Sequence, residues 1–263
     1  MLSRIMPVAW HPCGLLNGQP ATPYAVLILN QPINQNALNA VIQKASLLVC
    51  ADAGADRLFH YDQLDTRKDL ERRLPDAIVG DLDSLTPEVE EHYRARGVPI
   101  ERDPDQYSTD FTKCLQWIRR YSVQHLHDAG LDVVVLGGLG GRVDQGFSQI
   151  HHLYMAMNNV SLLKGRIYLL SEQSLSFVLV NDHNIIHVEP GYFEENVGII
   201  PVLGRAYIST KGLEWDVDQW PTEFGGQMST SNHIRSETIE IQFHGPQPLF
   251  TMELARRLTA ISD

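Results

Sequence analysis

The sequence predicts two architectures in succession, an α/β domain over residues 1–165 and an all-β domain over residues 166–263. Three observations lead there. From Tyr24 to about Gly165, near-continuous apolar runs alternate with stretches of helical spacing, the pattern of parallel strands covered on both faces. From about Ile167 the apolar segments become short and rich in Val, Ile, Leu and Thr. They are broken by Asn181-Asp182, Pro190-Gly191, Gly204, Gly225-Gly226 and Gly245-Pro246, as in a sandwich or barrel. A hydrophobic fraction of 43% over 263 residues is ordinary for a globular chain and leaves room for a sizeable core.

Taken in order, Tyr24-Ala25-Val26-Leu27-Ile28-Leu29-Asn30 reads as the first strand, followed by a helix around Ala37 to Ala45. Leu47-Leu48-Val49-Cys50-Ala51-Asp52 is the second strand, ending on Ala53-Gly54, and Ala77-Ile78-Val79-Gly80 is the third. The charged stretch from Tyr61 to Leu74 between them reads as a surface excursion. Pro87 to Arg96 is helical, with Pro near its start. Ser108 to Tyr121 is a further helix, with Phe111, Leu115 and Ile118 at helical spacing and Ser108 or Thr109 as its cap. Leu131-Asp132-Val133-Val134-Val135-Leu136 is the clearest strand. It runs through Gly137-Gly138-Leu139-Gly140-Gly141 into a helix bearing Phe147, Ile150 and Tyr154. Residues 1 to about 20 carry no clear pattern.

A net charge of −11 argues against non-specific binding to nucleic acid or to anionic lipid. No run approaches the ~18 apolar residues of a membrane span, and Arg4, His11 and polar residues break up the N-terminus. Cys13, Cys50 and Cys114 show neither disulfide nor metal-ligand spacing, which fits free thiols in a reducing compartment. The expectation is a soluble cytoplasmic protein.

The chemistry-bearing residues sit at the ends of predicted strands, where open α/β sheets bind ligands. Asp52 follows the second strand, and Asp81 and Asp83 follow the third. Residues i and i+2 of an extended segment share a face, so Asp81 and Asp83 are expected to point the same way. Two close carboxylates repel unless a cation lies between them, and Mg²⁺ is commonly held by one or two carboxylates plus substrate phosphates. A solvated Gly-Asp turn would use the same residue types. Asp110 opens a helix and can complete the cluster, with Lys113 one turn on to neutralise phosphate charge. The glycine run brings backbone amides close to a phosphate at a helix start, Arg142 adds a donor fork, and Asp144 complements the helix dipole. It is neither a Walker A loop nor a dinucleotide fingerprint. In the all-β part, Trp215 lies in Gly212-Leu213-Glu214-Trp215 and is followed by the polar cluster Ser229-Thr230-Ser231-Asn232. Core packing is the commoner fate of a tryptophan there, whereas an exposed ring would suit a flat cationic heterocycle. His151-His152 reads as structural.

These motifs, in this order and spacing, resemble the eukaryotic thiamine pyrophosphokinases. The resemblance rests on Cys50-Ala51-Asp52-Ala53-Gly54-Ala55-Asp56, Gly80-Asp81-Leu82-Asp83-Ser84, Asp105-Gln106-Tyr107-Ser108-Thr109-Asp110-Phe111 and Gly140-Gly141-Arg142-Val143-Asp144-Gln145. Leu170-Ser171-Glu172-Gln173-Ser174, Gly198-Ile199-Ile200-Pro201, Gly212-Leu213-Glu214-Trp215 and Ser229-Thr230-Ser231-Asn232 extend it to the C-terminus. It implies a Rossmann-like ATP-binding domain, a thiamine-binding β-sandwich, and a homodimer whose active sites lie between subunits. It also implies transfer of a diphosphate from ATP to the thiamine hydroxyl, giving thiamine diphosphate and AMP. Carried onto this chain, Asp81, Asp83 and Asp110 become the Mg²⁺ and catalytic set. Asp52, Ser84, Lys113, Gly138, Gly140, Arg142 and Asp144 fall to the nucleotide site, and Gln106, Trp215, Ser231 and Asn232 to thiamine. Val197 stands where the family often has Cys, and the stretch from Tyr61 to Leu74 looks inserted. Two other readings of the same residues are a non-catalytic nucleotide or thiamine sensor and a metal-dependent phosphohydrolase. The first would be favoured by loss of an acid, and the second has no use for Trp215.

Overall fold

The computed structural model describes residues 6–64 and 73–259. In chain order the elements are β1 (Val8–Trp10), α1 (Pro12–Asn17), β2 (Tyr24–Ile28), α2 (Gln35–Ile42), β3 (Leu47–Ala51), α3 (Gly54–Leu64), β4 (Ala77–Gly80) and α4 (Pro87–Arg94). Then come β5 (Ile100–Arg102), α5 (Asp110–His125), β6 (Asp132–Leu136), α6 (Val143–Met157), β7 (Ile167–Leu170), β8 (Ser174–Val178) and β9 (His183–His187). The chain ends with β10 (Phe193–Ile200), β11 (Ala206–Lys211), β12 (Trp220–Thr222), β13 (Ser229–His233), β14 (Thr238–His244), β15 (Leu249–Leu254) and one 3₁₀ turn. They divide into an α/β unit, Thr22–Glu172, and an all-β unit built from both remaining parts of the chain.

In the α/β unit six strands run in the order β7-β6-β2-β3-β4-β5, and all five pairings among them are parallel. β2, β3, β4 and β6 are buried at every position, because helices cover a parallel sheet on both faces. From β2 the chain builds outward through β3, β4 and β5, then returns to add β6 on the other side. The strand order therefore reverses between β2 and β6, the place where such sheets open a crevice for ligands.

The all-β unit has two groups of strands, β1-β9-β14-β11-β12 and β13-β10-β15-β8. Its strands alternate in burial; in β14 Ile239, Ile241 and Phe243 are buried between more exposed neighbours. The two groups meet where Trp10 of β1 stacks on Phe177 of β8, with centroids 4.4 Å apart, and Phe177 packs edge-on against Phe250. Fully burying such rings stabilises the fold by ~1.5–3 kcal/mol each.

The structure departs from expectation in three places. Residues 6–21, grouped by the sequence with the α/β domain, belong to the all-β unit: β1 pairs in parallel with β9, and the buried Trp10 donates its Nε1–H to Asn184 Oδ1 at 2.9 Å. The stretch expected as a loop from Tyr61 starts as the last turn of α3, with Tyr61 buried; residues 65–72 lie outside those described. A short sixth parallel strand, β5, continues the sheet beyond β4, and only part of it is apolar. Among the described residues, no helix is long and apolar enough to cross a membrane.

Candidate active site

The acidic residues converge at the carboxyl ends of β3 and β4, beside the reversal point. β3 ends at Ala51, and Asp52 turns the chain with φ 45°, a left-handed conformation that Asp tolerates better than most residues. β4 ends at Gly80, directly before Asp81. A β-carbon on Gly80 would lie 2.9 Å from Asp52 Cβ and 3.1 Å from Asp110 Oδ1, so the absence of a side chain there lets the three elements close up. Asp110 is the first residue of α5, whose cap is Thr109: the Thr109 hydroxyl oxygen accepts the Thr112 N–H at 3.2 Å.

One carboxylate oxygen from each of Asp52, Asp81 and Asp110 lies within 4.8 Å of the others. The Asp81 N–H donates to Asp110 Oδ1 at 3.3 Å, and the Ser84 N–H donates to Asp52 Oδ2 at 3.2 Å. Lys113, 2% exposed, puts Nζ 3.1 Å from Asp110 Oδ1 and 3.7 Å from Asp81 Oδ2. Gln106 donates its amide to Asp81 Oδ2 at 3.1 Å.

The electrostatics are uneven. Burial raises the Asp52 carboxyl to about 6; the Ser84 N–H opposes this, and the charges of Asp110, Asp81 and Asp83 add to it. Its Oδ1 is buried with no hydrogen-bond partner. Burial also works against the charge of Asp81, but the Asp83 N–H, the Gln106 amide and the Lys113 ammonium outweigh it and hold Asp81 below the usual carboxylate range. For Lys113 burial favours the neutral amine, and its contacts with Asp110 and Asp81 more than restore the proton. One fixed cation, in contact with Asp110 and Asp81, thus stands beside three carboxylates, leaving negative charge for a further cation to neutralise.

Asp83 stands apart from this group. Leu82 has φ 62°, so the extended geometry that would align residues 81 and 83 ends with the strand. Asp83 is exposed; its N–H donates to Asp81 Oδ1, and its carboxylate accepts from Ser84 Oγ at 2.8 Å. The carboxylate that joins Asp81 and Asp110 is that of Asp52, which the sequence places at a strand end and in the nucleotide site but not in the metal set.

A cavity of about 310 Å³ opens beside the carboxylates, lined in part by Asp52, Asp81, Ser84, Asp110 and Gln149. The glycine run follows β6. Gly137 has φ 67°, and a β-carbon on it would come within 2.4 Å of the Leu29 carbonyl oxygen. Gly138 is buried and Gly140 exposed. Arg142 donates twice to the Asp144 carboxylate, at 3.1 and 2.5 Å, with both side chains in solvent. Gly140 and Arg142 border a separate hollow of about 300 Å³ on α6, shared with Val143 and Phe147.

In the all-β unit Trp215 is 54% exposed, which removes it from the core. Its ring lies 4.9 Å from His233, tilted by 49°. Asn232 is buried and spends its amide on the tryptophan's own peptide groups: Oδ1 accepts the Trp215 N–H at 3.1 Å, and Nδ2 donates to the Trp215 carbonyl at 3.0 Å. Ser231, beside it, has φ 52° and borders a hollow of about 330 Å³ with Thr230, Asn196 and Glu253. His152, read from the sequence as structural, also borders the carboxylate cavity.

Comparison with known proteins matches both units. Residues 38–163 match the family described as "Thiamin pyrophosphokinase, catalytic domain", and residues 183–247 match "Thiamin pyrophosphokinase, vitamin B1 binding domain". The chain is 37% identical over 226 residues to "Thiamine pyrophosphokinase 3" of Oryza sativa subsp. japonica, covering 83% of this chain and 82% of that protein. It is 32% identical over 255 residues to "Thiamine pyrophosphokinase" of Saccharomyces cerevisiae, covering 80% and 78%. Among solved structures, thiamin pyrophosphokinase from Candida albicans superposes with a TM-score of 0.82 at 25% identity, covering 94% of this chain and 93% of that one. The yeast enzyme gives 0.82 at 27% identity, covering 97% and 94%.

Proposed function

The chain belongs to the thiamine pyrophosphokinase family, and from that premise we propose how its residues share the reaction. It is a thiamine diphosphokinase, moving a diphosphate group from ATP to the hydroxyl of thiamine and releasing AMP. The three carboxylates meeting beside a buried lysine, next to the sheet's reversal point, carry the assignment of the nucleotide site.

The donor set there is all hard oxygen, and Oδ1 of Asp52 is buried with no hydrogen-bond partner. Both features suit Mg²⁺, which when bound neutralises charge on the phosphates being transferred. Asp81 and Asp110, with Asp52, form the set that would hold it, and Asp83 lies beside them, its N–H on Asp81 and its carboxylate on Ser84. Lys113 fixes a positive charge that needs no reorganisation during transfer. Gly138 and Gly140 offer backbone amides to phosphate, Arg142 a planar fork that Asp144 keeps oriented. Attack by the thiamine hydroxyl at the β-phosphorus makes AMP the leaving group. The protein's share is in-line positioning and charge neutralisation rather than covalent chemistry. Gln106, tied to Asp81, is suited to carry thiamine's position to the carboxylates. The exposed ring of Trp215 offers a face to a flat cationic heterocycle, with Ser231 and Asn232 beside it.

We also assign a homodimer in which Trp215, Ser231 and Asn232 of one chain serve the carboxylates of its partner. Sedimentation at twice the chain mass checks the assembly. Three buried free thiols suit a cytoplasmic setting. The function itself is tested by AMP release from Mg-ATP with and without thiamine. Release that depends on thiamine is expected. Phosphate release without thiamine would make the protein a phosphohydrolase, and binding without turnover would make it a sensor.

A further inference from the structure

His152 lies on α6, is 2% exposed and stacks on Phe111 with centroids 4.6 Å apart and planes within 17°. Its two ring nitrogens have different partners. Nδ1 lies 2.5 Å from the Ser148 carbonyl oxygen, which can only accept, so Nδ1 carries the proton. Burial, reinforced by the neighbouring His151 and opposed by the Ser148 carbonyl, keeps the ring below the usual histidine range and hence neutral. Nε2 is then a bare acceptor, 2.7 Å from Thr109 Oγ1 and 3.1 Å from Thr112 Oγ1. Thr109 can direct its hydroxyl hydrogen to His152 while its lone pair caps the Thr112 N–H, so the cap of α5 is held from outside its own helix. The next residue is Asp110, whose Oδ1 receives both the Asp81 N–H and Lys113.

We propose that His152 is a positioning residue for the nucleotide-metal site, its Nε2 fixing the Thr109 cap and thereby the start of the helix that presents Asp110. This rests on the assignment of Asp52, Asp81 and Asp110 as the metal-holding group. His152 reaches the cap from α6, its Nδ1 held by the Ser148 carbonyl one turn earlier, so a second helix braces the start of α5. Packing alone would not require a nitrogen at this point, since Phe111 needs only a ring face.

His152→Phe keeps a ring against Phe111 and removes the acceptor. Thr109→Val removes the donor at an exposed position, and Thr109→Ser restores it. Mn²⁺ binding to the resting protein, followed by electron paramagnetic resonance, gives a readout independent of turnover. His152→Phe and Thr109→Val should each weaken Mn²⁺ by about 10-fold, the lower end for losing a group that orients a metal ligand. The Mg²⁺ requirement for turnover should rise in parallel while the thiamine KM holds. Thr109→Ser should match the native protein, and the double variant should be no worse than either single one. Native Mn²⁺ affinity in Thr109→Val, or penalties that multiply in the double variant, would overturn the coupling even if His152→Phe fails to fold. Asp81→Asn separates the two levels. If it alone weakens Mn²⁺, only the role of His152 is lost; if it too binds Mn²⁺ normally, the metal site itself is misassigned.

Discussion

The two units mark their candidate functional residues in opposite ways. In the α/β unit the telling side chains are charged and hidden: Lys113 is 2% exposed and Asp52 5%. In the all-β unit the telling side chain is apolar and uncovered, with Trp215 at 54%. Charges are seldom buried and tryptophans seldom left out, so each unit breaks the ordinary rule in its own direction. A site for phosphate and metal needs charges held ready in a low dielectric; a site for an aromatic cation needs a ring face left open. Departures from ordinary burial therefore point to chemistry whichever way they run.

The sharpest way to break this comparison is at the carboxylate group. Asp81→Asn is expected to lower turnover by ~10²–10³-fold, the scale of losing one fixed electrostatic group in a transition state. Asp83→Asn, outside the three-carboxylate group, should fall well short of that. Steady-state AMP release, with circular dichroism as the folding control, orders the two. An equal loss from both would return Asp83 to the centre of the site.

Asp52 supplies the next effect. Its carboxyl is raised to about 6 in the folded chain, against an ordinary value near 3.8. A raised acid favours the folded state below the ordinary value, and that contribution is lost as pH climbs through the raised one. Metal-free protein should therefore lose up to ~3 kcal/mol from this residue between about pH 4 and pH 7. Asp52→Asn should flatten that slope in chelator-treated samples followed by urea unfolding. A native slope in the variant would locate the titration elsewhere.

Smallest is the exposed ring. Trp215→Ala should raise the thiamine KM by the equivalent of ~0.5–2 kcal/mol, leave the ATP KM alone and barely move the melting temperature. Trp10→Ala, in the same unit but stacked in its core, should lose ~3–5 kcal/mol of stability. A Trp215 variant that melts like the Trp10 variant would erase the contrast between them.

Much of the α/β unit was legible because its strands are continuous apolar runs with acids or glycines at their ends: Leu47 to Ala51 and Val133 to Leu136 can hardly be anything else. The helix after β3 was not, since Gly54 at its start reads as a strand terminator. Nor was the composition of the carboxylate group. The two-residue periodicity linking Asp81 to Asp83 holds only inside a strand, and β4 stops at Gly80, before either residue. Asp52 enters by a left-handed turn at a residue that is not glycine, a conformation that composition does not announce. In the all-β unit the alternation of β14 was readable. β1 was not, because three residues are too few for a period and its partner β9 lies far along the chain. The motif around Trp215 was visible, but its exposure depends on Asn232, seventeen residues later, gripping the peptide on both sides.

The closeness of Gly80 to Asp52 and Asp110 also bears on how duplicated genes in this family should be interpreted. A copy drifting away from its duty is usually suspected when one of its acids disappears. Here a single methyl group at position 80 would wedge the carboxylates apart while every acid remained in place. An inventory of aspartates would score such a copy as active; the residue that betrays it carries no functional group at all.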